Sequence, residues 1–162
     1  MKKIYYTVAI ILVSVTLSSC GLSRTAINSP DAKEKNITNT FDQNDNYIKA
    51  NEWMVQTFNN AKSVIQFSDK EAGIVKGKYI MKTGTISTNA YAASIPDFSA
   101  TITIRVKDNA ARIEILAPDG MFSQKAYGVQ YGFTAEMFNN SADALISDFE
   151  KNMKSESANK DW

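Results

Sequence analysis

Residues 44–83, NDNYIKANEWMVQTFNNAKSVIQFSDKEAGIVKGKYIMKT, decide the fold. Asn44 or Asp45 can cap a helix, because a short side-chain oxygen satisfies the free amides of a first turn. Tyr47, Ala50, Met54, Phe58 and Ala61 then recur at helical spacing, with Ile48 and Val55 widening the stripe. Ser63 to Ser68, rich in Val, Ile and Phe, predicts a strand. Asp69 to Gly73 makes a charged turn in which Gly73 is free to take positive φ. From Ile74 to Thr83 the chain alternates. Val75, Gly77, Tyr79 and Met81 share one face, and Lys76, Lys78 and Lys82 share the other, the pattern of a half-buried strand.

Working outward, Ile37 to Phe41 reads as a short first strand. Gly84 to Ser94 is a small-residue segment with room for an edge strand at Thr85 to Thr88. Ala100 to Lys107 is the clearest strand, and Ala111 to Ala117 returns with Ile113 and Ile115 inward. A two-residue loop at Asn109-Ala110 sets Arg105 opposite Glu114, whereas a loop at Asp108-Asn109 sets it against Arg112; opposite charges favour the first register. In Met121 to Phe133, Tyr127, Val129, Tyr131 and Phe133 alternate with small or polar residues, as in an edge strand or an aromatic-rich loop. Phe138, Ala142, Leu145, Phe149 and Met153 define a last helix, capped by Asn140 or Ser141 unless it starts earlier at Met137. The order of elements argues an α+β class, with an antiparallel sheet of about five strands and two helices packed on one face.

The amino end carries a different signal. Lys2 and Lys3 precede an apolar run from Ile4 to Leu17, shorter than the about 20 residues a membrane-spanning helix needs. The run closes on Leu17-Ser18-Ser19-Cys20-Gly21, which resembles the lipobox of bacterial lipoproteins. The resemblance implies that residues 1–19 are a signal peptide and that Cys20 receives a diacylglycerol and becomes the mature, acylated terminus. It also implies a place in the cell envelope, with Gly21 favouring the outer membrane. Two or more acyl chains, at about 0.8 kcal/mol per buried methylene, hold a protein stably. Residues 20–36 then read as the lipidated cysteine and a flexible linker, 37–155 as a single α+β domain, and 156–162 as a frayed tail.

A second resemblance rests on Trp53 through Met81, above all on Asp69-Lys70-Glu71-Ala72-Gly73 before Ile74. This stretch resembles an uncharacterised bacterial domain family with a TATA-binding-protein-like fold, whose members are often lipoproteins. The family has no established activity, so the resemblance implies fold rather than function.

Composition narrows the chemistry. The chain of 162 residues has no histidine, and Cys20 is its one cysteine. With Cys20 lipidated, neither a Ser-His nor a Cys-His pair can form, and no phosphate-loop, dinucleotide or nucleophile-elbow motif occurs. Asp69 and Glu71, the nearest acidic pair, sit in a turn, where charges are mostly solvated. Removing residues 1–19 takes two lysines and leaves 16 basic against 17 acidic side chains, a net charge of −1. Such a domain lacks the footprint of nucleic-acid binding.

The expectation is a binding module rather than an enzyme, with no cofactor and no metal. It contacts the membrane through Cys20 and an envelope protein or small ligand through its domain. Candidate contact residues are Lys76 and Lys78 on the hairpin, and Tyr127, Tyr131 and Phe133 in the aromatic segment. An exclusion or inhibitor lipoprotein is a variant of this reading, and a hydrolase using Ser-Lys or carboxylate chemistry is its rival from another class.

Overall fold

A computed structural model describes residues 24–58, 65–86, 94–126 and 129–156. Its elements in chain order are β1 (Thr25–Ala26), β2 (Lys33–Thr38), α1 (Gln43–Thr57), β3 (Ile65–Asp69), β4 (Ile74–Lys82), β5 (Phe98–Lys107), β6 (Ala110–Leu116), β7 (Phe122–Ala126), β8 (Val129–Phe133) and α2 (Ala135–Lys154). Five strands form one sheet in the order β2-β6-β5-β4-β3, antiparallel throughout. A smaller sheet in the order β1-β7-β8 adjoins it through Phe98, whose ring meets those of Phe122 and Phe133. The expected edge strand or loop at Met121 to Phe133 is thus a hairpin. The lipobox and residues 1–19 lie outside the described residues, as do Ala61 and residues 87–93.

Both helices cover one face of the large sheet. Val75, Ile102, Ile104, Ala111, Ile113 and Ile115 point into the core they share with Trp53, Met54, Phe138, Phe149 and Met153. Trp53 packs edge-on against Phe58 and Phe149, and its Nε1 donates to Asp148 Oδ2 at 2.8 Å. The α2 stripe is the expected one, with Ile146 added, but the helix starts earlier: Thr134 caps it by accepting from the Met137 amide.

Four differences from the sequence reading have physical causes. Helix α1 is capped by Asp42, not Asn44 or Asp45, because Asp42 Oδ1 accepts the Asp45 amide at 2.8 Å. Its buried stripe runs through Asn46, Lys49, Ala50, Trp53 and Met54, so Ile48 and Val55, at 45% and 47% exposure, face outward. Strand β2 begins at Lys33, ahead of Ile37. Its inward positions Lys33 and Lys35 are edge lysines whose charges are met by Asp143 at 3.0 Å and Glu150 at 2.5 Å on α2, so no apolar alternation marks them. Finally, the β5–β6 loop is Asp108-Asn109, and Arg105 stands opposite Arg112.

That register is set by what grips the loop rather than by the rung charges. Asp108 Oδ1 accepts the Gln43 amide at the start of α1 at 2.8 Å. The Asn109 amide donates to the Phe41 carbonyl at 2.8 Å, and the Asn109 carbonyl accepts from Asn39 at 3.0 Å. Asn109 takes a left-handed φ of 59°, which asparagine tolerates. Beneath the loop, the Asn46 side chain, fully buried, donates to the carbonyls of Lys107 at 2.9 Å and Phe41 at 3.1 Å. It also accepts from Asn39 Nδ2 at 2.7 Å.

Asn46→Ala removes the buried amide that ties Asn39, Phe41 and Lys107 together and is expected to destabilise the fold by about 2–3 kcal/mol, against less than about 0.5 kcal/mol for Val55→Ser on the exposed side of the same helix; urea denaturation followed by circular dichroism measures both. A second expectation concerns acid. Hydrogen bonds from Lys154 at 2.7 Å and Lys35 at 2.5 Å hold the Glu150 carboxyl down at about 2, against an ordinary 4.5. Because the folded value is depressed, the stabilisation is complete above pH 4.5 and fades as the pH falls toward 2. Denaturation across that window is expected to show a shallower acid loss for Glu150→Gln than for the parent chain.

Candidate functional site

Among the described residues, no helix covers the other face of the five-stranded sheet. Strand alternation places Glu34 and Asn36 of β2 there, with Arg112, Glu114 and Leu116 of β6. It places Thr101, Thr103, Arg105 and Lys107 of β5 there, beside Lys76, Lys78 and Ile80 of β4. Phe67 of β3, opposite Lys76, completes the row and is half exposed. Among the described residues five cations thus share the face with three carboxylates, the third being Asp69 of β3, opposite Ile74. The helical layer opposite is richer in Asp and Glu, with Asp45 and Glu52 on α1 and Glu136, Asp143, Asp148 and Glu150 on α2.

Lys76 and Lys78 stand on adjacent outward positions of β4, opposite Thr103 and Thr101. Both are exposed, and among the described residues neither side chain meets a carboxylate or makes a hydrogen bond. Lys82, expected in the same row, departs from it. A bulge between Ile80 and Lys82 turns its side chain to the small sheet, where Nζ donates to the Gly132 carbonyl at 2.7 Å. Arg112 pairs with Glu34, and Arg105 Nη1 lies 3.6 Å from Glu114 Oε2. The arginines were the part of this face that strand alternation alone could have supplied, since Arg105 is an outward member of the clearest strand.

The aromatic candidates separate. Phe133 is 1% exposed and stacks on Phe98 with ring centroids 5.4 Å apart, so it is core and touches no solvent. Tyr131 is 38% exposed and, with Val129, forms an apolar edge on β8. Tyr127 lies outside the described residues. The structure therefore keeps Lys76, Lys78 and Tyr131 at the surface and removes Phe133 from it.

Lys49 is the one buried cation among the described residues. Its Nζ donates to the Ser155 carbonyl at the end of α2 at 2.7 Å and sits 4.6 Å from the Phe41 ring centre. Burial lowers its pKa below the usual lysine range, against the opposing pull of Glu52 and Asp45. Closing a helix carboxyl end is a structural role for a cation.

Residues 33–119 match a family described as a domain of unknown function (DUF4468) with TBP-like fold. The chain belongs to that family. No curated protein matches the DUF4468 chain. Among solved structures, a DUF4468 family protein from Bacteroides ovatus is similar at 14% identity with a TM-score of 0.49, covering 80% of this chain and 92% of its own. A TBP-like protein from Parabacteroides distasonis is similar at 11% identity with a TM-score of 0.49, covering 75% and 91%. Family membership supplies the TBP-like α+β fold and leaves the role of the open sheet face to the chemistry of its residues. No helix among the described residues is long and apolar enough to cross a membrane.

Phe133→Ala is expected to cost about 3–5 kcal/mol, the price of an aromatic lost from a packed core. Lys76→Gln and Lys78→Gln are each expected to change stability by less than about 0.5 kcal/mol. Thermal melts of the three variants check the division of these residues into core and surface.

Proposed function

We propose that this DUF4468 protein is a membrane-anchored bacterial lipoprotein whose domain is a binding module working through its open sheet face. The observation that carries the second half is the pair Lys76 and Lys78, exposed side by side on a regular strand with no carboxylate partner among the described residues. A strand face that serves only stability would gain from cross-strand pairing of such charges. The first half is supported by the order of Lys2, Lys3, the apolar run and Leu17-Ser18-Ser19-Cys20-Gly21.

In this reading Cys20 is acylated and holds the domain at the envelope membrane, with Gly21 directing it to the outer one. Confinement raises the effective concentration of the domain near membrane-bound partners, so a modest contact suffices for occupancy. A chain without histidine has no ready general base, which favours binding over hydrolysis.

Cys20→Ala is expected to move the protein from the membrane fraction to the soluble fraction with its circular dichroism spectrum unchanged. Retention of that variant in membranes contradicts the anchor. A photo-crosslinker at position 78 is expected to give adducts in intact cells, while one at position 55 on the outer side of α1 gives none. Equal labelling from the two positions sinks the assignment to the open face.

A further inference from the structure

Arg105 and Arg112 face each other directly across β5 and β6, and the next rung sets Glu34 against Glu114. Like charges directly opposite are unfavourable in a ladder. A loop at Asn109-Ala110 would have kept both side chains on the same face and set Arg105 against Glu114 instead. The chain nevertheless holds the like-charged rung, with relief along the diagonals from Arg112 to Glu34 and from Arg105 to Glu114.

That relief is incomplete. At 3.6 Å the Arg105–Glu114 contact is an ion pair too long for a hydrogen bond, so among the described residues the Arg105 donors stay open. Arg112 commits only its Nη2 to Glu34. Arg105 and Arg112 line a depression of about 280 Å³ at the hairpin tip, together with Asn36, Val106, Lys107, Ala110 and Ala111. Arg105, Lys107 and Arg112 against Glu34 and Glu114 leave one positive charge to be neutralised.

We infer that this depression is a binding site for an oxyanion, the carboxylate or phosphate group of a ligand, gripped between Arg105 and Arg112. The inference rests on the reading of the open face as the binding side. Guanidinium forks match carboxylate and phosphate geometry with paired hydrogen bonds, which lysines cannot do. The volume lies just below the roughly 300–1,000 Å³ of pockets that enclose whole ligands, so the site takes a charged terminal group while the rest of the ligand runs over the sheet. Asn36, opposite Arg112 on β2, offers the group a further donor.

The test is calorimetric titration of the full-length chain in non-ionic detergent with inorganic phosphate and, separately, with citrate, at constant ionic strength set by chloride. A saturable heat with a dissociation constant of about 1 mM or tighter is expected for one or both. Preference for phosphate or for citrate tells which oxyanion the site is built for. Arg105→Gln and Arg112→Gln are each expected to weaken binding about tenfold or more, whereas Lys151→Gln, an exposed lysine on the helical layer, leaves it unchanged. If Arg112→Gln does not fold, Arg112→Lys keeps the charge, loses the fork and is expected to bind several-fold more weakly. No saturable heat above the chloride control, or equal affinity in the arginine variants, overturns the site. Silent titrations beside retained crosslinks from position 78 overturn the oxyanion site and leave the binding surface standing. Lost crosslinks beside a saturable, arginine-dependent titration overturn the contact at Lys78 and keep the oxyanion site.

Discussion

The buried amide of Asn46 is the constraint from which the rest of the sheet takes its alignment. It sits on the inward stripe of α1, where the pattern of its neighbours calls for an apolar side chain, and holds the carbonyls of Phe41 and Lys107. One carbonyl belongs to the lead-in to α1 and the other to the last residue of β5. Helix start and hairpin tip are therefore fastened at one point. Asp108 reinforces the joint by accepting the Gln43 amide, which would otherwise lack a partner at the helix start. Once the tip is fixed, the rungs of β5 and β6 follow, and with them the cross-strand partner of every side chain on those strands.

The same joint explains why rung electrostatics lose. An exposed cross-strand pair contributes roughly 0.2–1 kcal/mol, whereas leaving a buried carbonyl unpaired costs about 1–3 kcal/mol. The tip offers several such buried or half-buried bonds at once. A register that satisfies them prevails over one that pairs Arg105 with Glu114, and the arginines are placed opposite each other as a consequence. The two like-charged rungs then share their charges along the diagonals, which keeps the arrangement stable and the Arg105 donors open.

How far the sequence carried can be judged from single elements. Strand β4 and helix α2 were legible because their apolar periods are regular, and Gly73, with φ of 64°, sits where the charged turn needs it. A Cβ there would also come within 2.4 Å of the Val106 carbonyl, a contact between strands that no local pattern reveals. The start of β2 was not legible, because its inward lysines are matched by carboxylates more than a hundred residues away. Val55 and Ile48 misled for the opposite reason: they are apolar, but the core stripe of α1 had given a position to Asn46 and another to Lys49. Of the site, Lys76 and Lys78 followed from alternation alone. The Arg105–Arg112 rung did not, since it depends on a polar joint whose members are scattered from Asn39 to Asn109.

Two-layer architecture leaves a sheet with one dry face and one face free for other work. Here the dry face is closed by rings and branched aliphatics from both helices, and its edge by lysines salt-bridged to α2. The free face holds threonines, cations and isolated apolar groups such as Phe67 and Leu116, too dispersed to drive a large hydrophobic interface. A surface of that kind gains affinity from directed hydrogen bonds to charged groups rather than from buried area. It also gains more from being held close to its target than a greasy surface would, because polar contacts at an exposed face are individually weak. In the proposed reading, tether and open face are complementary parts of one design: an acylated Cys20 would supply proximity, and the arginine rung would supply selection.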